Sequence, residues 1–145
     1  MSAAANKDLV RRYFEAIDAR RDASVLEEYV GRGFVDHSPS PGFTPDFDGL
    51  AGAFLHFLEA TPDGRHEIED MLAEDDRVAT RVTAVGTHTG ELFGIPPTNR
   101  EFRTTSIVIH RIAEGKIVER WAEIDMMGSL LQLGVLAPPG PPASP

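Results

Sequence analysis

Leu9, Val10, Tyr13, Phe14 and Ile17 recur at helical spacing, with Arg11, Arg12, Glu15 and Asp18 between them. That pattern predicts an amphipathic helix with a wide apolar face. Ser24-Val25-Leu26-Glu27 fits a capping box, in which the Ser hydroxyl accepts the N–H of Glu27 and Glu27 reaches back. A short second helix through about Val30 should follow. Phe34–Pro41 reads as a brief extended piece running into a Pro-rich loop. Leu50, Phe54, Phe57 and Leu58 mark a third helix, capped by Asp48 and stopped at Pro62-Asp63-Gly64.

Helical spacing then disappears. Extended segments are predicted at about His66–Ala73, Arg77–His88, Phe102–Ile112 and Ile117–Asp125, with turns at Glu74-Asp75-Asp76 and Ala113-Glu114-Gly115-Lys116. A short helix, Gly128–Leu133, closes the pattern at Gly134. Helices first and an antiparallel meander after them make an α+β protein rather than an alternating α/β one. The long middle strands should bend, wrapping the sheet around the first helix.

The second turn carries the signature of a three-residue loop with Gly115 in the left-handed position and a bulge. That register pairs Ile112 with Lys116. It places Phe102, Thr104, Ser106, Val108 and His110 on one face beside Val118, Arg120, Ala122 and Ile124. The other face holds Ile107, Ile109, Ile117 and Trp121 among charged residues. Neither face is cleanly polar, so both should be covered, one by the helices and the other by a second subunit. A helix-covered apolar face carrying a few polar groups is the usual form of a small-molecule site.

The chain has 145 residues, enough for one domain over residues 1–136, with a Pro-rich tail over 137–145 expected to be disordered. Fourteen Lys and Arg against 23 Asp and Glu leave a net charge of −9. Such a balance disfavours phosphate backbones and anionic lipid, so neither nucleic acid nor membrane is expected as a partner. No cysteine is present, which removes disulfides, thiolate nucleophiles and Cys-ligated metal sites. With no membrane-length apolar stretch and no signal-like start, a cytoplasmic protein is expected. His37, His56, His66, His88 and His110 form no metal-binding spacing, and no nucleotide-binding or serine-hydrolase motif occurs. No metal and no cofactor are expected; acid–base chemistry by carboxylates, histidines and an arginine remains.

Four runs resemble the SnoaL-like polyketide cyclases of the NTF2-like superfamily: Phe34-Val35-Asp36-His37-Ser38-Pro39, Phe93-Gly94-Ile95-Pro96-Pro97-Thr98-Asn99-Arg100, Gly115-Lys116-Ile117-Val118-Glu119-Arg120-Trp121, and Asp125…Gly128…Leu131-Gln132-Leu133-Gly134. The resemblance spans about Leu9 to Leu136. It implies an α+β cone, a curved antiparallel sheet closed by helices around an apolar pocket, usually as a homodimer or tetramer. It also implies cofactor-free ring closure by aldol chemistry, with a pocket carboxylate removing an acidic proton. Aligned on the shared runs, the cyclases' catalytic Asp falls at Ala122, their pocket His at Val108, and a polar pocket residue at Ser106. Alanine cannot take a proton.

A replacement base is therefore sought in Asp36, which matches a pocket-edge position of the family. His110 and Arg120 would polarise a substrate oxygen, while His37, Ser106, Trp121, Asp125 and Tyr13 would contact substrate. Plainer roles compete. Asp36 and His37 could organise the following loop, Arg120 could be a solvated charge, Trp121 could pack at an interface, and Asp125 could cap the last helix. The substrate expected is a hydrophobic, oxygenated small molecule. The alternatives are a binding protein that kept the pocket and lost the base, or an assembly module with a filled interior.

Overall fold

A computed structural model describes residues 1–141. The element order is α1 (Ala3–Arg20), α2 (Ser24–Tyr29), β1 (Val30–Asp36), α3 (Phe47–Ala60), β2 (Arg65–Glu74), β3 (Arg77–Thr87), β4 (Glu101–Ala113), β5 (Lys116–Ile124) and α4 (Met126–Gln132). The strands form one sheet in the order β1-β5-β4-β3-β2. β2 to β5 are the expected antiparallel meander, whereas β1 joins the sheet in parallel on the far side of β5. That fifth strand was read from sequence only as an isolated extended piece.

α1 forms because its apolar positions share one face. Leu9, Val10, Tyr13, Phe14 and Ile17 are all buried against the concave side of the sheet, in one core with Val25, Leu26, Val30, Phe34, Val78, Val82 and Ile112. Its far end is tied to α3 by Arg21, whose guanidinium donates to the carbonyls of Thr61 at 2.7 Å and Gly64 at 2.6 Å. The result is an α+β cone with helices on the inside of a curved sheet.

Three local expectations are corrected. The capping box at Ser24 does not form. Asp22 instead receives the Ser24 N–H at 2.9 Å, and Glu27 pairs with Arg32. α3 is capped by Asp46, which accepts from Gly49 N–H at 2.9 Å, and not by Asp48, which lies inside the first turn. The β4–β5 turn has two residues, not three. Glu114 and Gly115 both adopt positive φ (52° and 73°), which closes the hairpin tightly and pairs Ala113 with Lys116. Val118 is then the bulged residue, left out between the Ile112–Ile117 and Arg111–Glu119 pairs. The two-residue turn pairs Ile117 with Ile112 and so moves it from the expected outer face into the core, and turn and bulge together shift the register beyond Val118 by two. Arg120 therefore faces His110, not Val108.

Residues 137–141 are exposed and carry no helix or strand. The remaining residues of the tail expected to be disordered, 142–145, lie outside the described residues. No helix of the described chain is long and apolar enough to cross a membrane.

Candidate functional site

The concave face of the sheet and helices α1 and α3 enclose a cavity of about 270 Å³. Its walls are apolar: Leu50, Ala53 and Phe54 from α3 face Val82, Phe102 and Val108 of the sheet. α4 closes one side, docked on β4 by Gln132, which accepts from Arg103 N–H at 2.7 Å and donates to its carbonyl at 2.8 Å. Ser129 and Thr104 share a hydroxyl contact of 2.5 Å at the same seam.

Against these walls stands a row of polar groups. Asp36 on β1 lies opposite Arg120 on β5, which lies opposite His110 on β4, so three strands deliver three side chains to one line across the sheet. All three line the cavity together with Tyr13. Arg120 Nη1 donates to both carboxylate oxygens of Asp36 at 3.1 Å and to the Ser38 carbonyl at 3.0 Å. Asp36, only 4% exposed, also accepts from Ser38 N–H at 2.9 Å. The loop-organising role weighed for Asp36 is thus present alongside its place in the cavity.

Burial and the neighbouring Arg120 charge lower the His110 pKa to about 3, so the ring stays neutral. Its Nδ1 has no hydrogen-bond partner among the described residues. Tyr13 packs edge-on to His110 with ring centroids 5.9 Å apart. Burial raises the phenol to about 12, with Arg120 opposing and Asp36 reinforcing the shift, so Tyr13 is a neutral donor. The cluster therefore offers one carboxylate, one guanidinium, one neutral imidazole and one phenol at an apolar surface. The last three are donors that can hold a developing enolate oxygen.

The other candidate residues divide. Ser106 lines the cavity, and its hydroxyl donates to the Val82 carbonyl at 3.3 Å. His37 and Trp121 are not among the cavity-lining residues. Their rings stack at 4.6 Å, His37 meets Glu119 at 3.1 Å, and the Arg77 guanidinium lies 4.9 Å from the Trp121 ring. Trp121 is on the outer face because its odd position points away from Arg120. Asp125 caps α4, accepting from Gly128 N–H at 2.9 Å, and is exposed.

One cavity-lining pair escaped the sequence reading. Asp18 of α1 and His66 of β2 meet with 2.8 Å between carboxylate and ring Nδ1. They are far apart in sequence, and only the packing of α1 across β2 joins them. Among the described residues no group of three or more His, Asp or Glu is arranged to hold a metal.

The sequence matches the SnoaL-like polyketide cyclase family over residues 7–133. It is 32% identical over 133 residues to the aklanonic acid methyl ester cyclase DnrD of Streptomyces peucetius, covering 88% of this chain and 89% of that one. The nogalonic acid methyl ester cyclase of Streptomyces nogalater is 29% identical over 115 residues, covering 78% and 82%. The crystal structure of AclR from Streptomyces galilaeus superposes with a TM-score of 0.83 at 31% identity, covering 97% and 87%. The cone, its cavity and these relatives together place the chain in the SnoaL-like polyketide cyclase family.

Proposed function

We propose that the cavity binds a hydrophobic, oxygenated polyketide-like molecule and acts on it by cofactor-free acid–base chemistry. Asp36 removes a proton flanked by carbonyls, and Arg120, His110 and Tyr13 hold the resulting enolate oxygen. The observation that carries this reading is the Asp36–Arg120–His110 row, a buried set of ionisable and polar groups on an otherwise apolar wall. The cyclases of comparable length act, by their names, on aklanonic and nogalonic acid methyl esters, which suggests a similar substrate here.

The base position differs from that implied by the resemblance. Ala122 faces Val108, and the polar pair His110–Arg120 stands two rungs along the same ladder, on the same face, with Ile109–Trp121 between them. A non-catalytic binding protein is the second reading, favoured by the engagement of both Asp36 oxygens with Arg120, which leaves the carboxylate already partnered. Incubation with aklanonic acid methyl ester separates the two. Ring closure by the wild type, slowed at least about 100-fold in Asp36→Ala, supports the enzyme. Binding without turnover supports the binder, and equal turnover by both proteins removes Asp36 from the mechanism.

We further infer self-association through the outer face of the sheet. Leu72, Ala79, Ile109 and Trp121 form one cross-strand row there, and Leu72 is 69% exposed. An apolar row between charged ones is the form expected of a contact with a second copy.

A further inference from the structure

The cavity has a second polar pole. Asp18 uses both carboxylate oxygens on one residue: Oδ1 meets His66 Nδ1 and Oδ2 accepts the His66 backbone N–H, each at 2.8 Å. A carboxylate accepts only, so Nδ1 carries a hydrogen and the ring orientation is fixed. Nε2 has no protein partner among the described residues, and both residues line the cavity. The Phe14 ring packs against His66 at 5.3 Å and against His110 at 6.1 Å, so the two histidines share one wall residue. The His66 and Asp18 side chains are 28% and 25% exposed, so solvent protons reach this pole directly.

We propose that His66, positioned by Asp18, is a second proton-transfer residue of this cavity, acting on the carbonyl oxygen at which the ring closes. The proposal rests on the acid–base reading above. Asp36 takes the α-proton at the first carbonyl, and the C–H electron pair becomes the enolate. The enolate carbon attacks the second carbonyl carbon, forming the C–C bond and sending the C=O π pair to oxygen. That oxygen takes a proton from Nε2 of the protonated His66 ring, whose Nδ1–H is held by Asp18, leaving neutral imidazole. Solvent returns the proton from Asp36 to His66. The product is an isomer of the substrate, and no oxidant, reductant or co-reactant enters.

The two poles are separable in D₂O with aklanonic acid methyl ester as probe, following deuterium uptake at the α-carbon and ring closure together. His66→Gln is expected to exchange the α-proton within about twofold of wild type while closing the ring about 100-fold more slowly. Asp36→Asn is expected to lose exchange itself. Asp18→Asn should slow closure less than His66→Gln and shift the pH profile of closure without altering exchange, which a purely structural tie between α1 and β2 would not do. Ring closure by His66→Gln within a few-fold of wild type overturns the proposal and leaves the Asp36 reading intact. If wild type neither exchanges nor closes, the acid–base reading falls and this proposal with it. Nitrogen NMR of the wild type guards against a misfolded variant. Probe-induced shifts at both His66 and His110 support the proposal, and shifts at His110 alone overturn it.

Discussion

His110 on β4 and Arg120 on β5 face each other across the ladder, and Arg120 turns its guanidinium to the Asp36 carboxylate on the third strand. Burial makes that ion pair fragile in one direction only. Removing Arg120 leaves a desolvated carboxylate without its partner, whereas removing both charges leaves an apolar site. Arg120→Ala is expected to lower the unfolding free energy by about 3–5 kcal/mol, and Asp36→Leu with Arg120→Met to recover most of it. Urea denaturation of the three proteins measures this.

His110 contributes a pH dependence of known sign. Its folded pKa is lowered to about 3 by burial and by Arg120. The unfolded ring protonates near its ordinary value of 6.5, so the unfolded state binds the extra proton between these limits. Stability from this residue is therefore lost as pH falls from about 6.5 toward 3, and is flat above that range. The fall in urea midpoint from pH 7 to pH 4.5 should be smaller in His110→Leu than in wild type. Equal falls would show that the ring is free to protonate when folded.

One wall of the cavity depends on a glycine. A Cβ on Gly49 would stand 1.7 Å from the Thr44 carbonyl oxygen, backbone that cannot rotate away. Gly49→Ala must displace the Asp46 cap or the Thr44 turn, and a loss of about 2 kcal/mol or more is expected by urea denaturation.

If the Leu72–Trp121 row is a self-association surface, Leu72→Glu with Ile107→Glu should convert the assembly to monomers in sedimentation velocity. Ile107 is 54% exposed on the next rung of the same face. An unchanged sedimentation coefficient would exclude this face.

Helical apolar spacing located α1 and α3, and the turn signals between extended runs located the four meander strands, whose faces are not cleanly divided into apolar and polar. The parallel pairing of β1 with β5 was not legible, since Asp36 and Arg120 are brought together by hydrogen bonds that leave no local pattern. The face of Arg120 was read correctly although the turn was not: the Val118 bulge restores the parity that a two-residue turn would have reversed. Trp121 stands on the outer face where the strand parity put it, and His37, just past the end of β1, stacks on it there, so neither takes the substrate-contacting place that its chemistry suggested. Asp18 and His66 carry no motif, and only the docking of α1 on β2 makes them a pair.

The central claim is that the hollow between α1, α3 and the sheet receives the small molecule. Backbone amide NMR during titration with aklanonic acid methyl ester tests it most directly. The account expects saturable shifts at Tyr13, Ala53, Ser106, Val108 and His110, with Trp121 and Ile107 on the outer face unmoved. Shifts confined to Trp121, Ile107 and their neighbours, or no shifts anywhere, would contradict it.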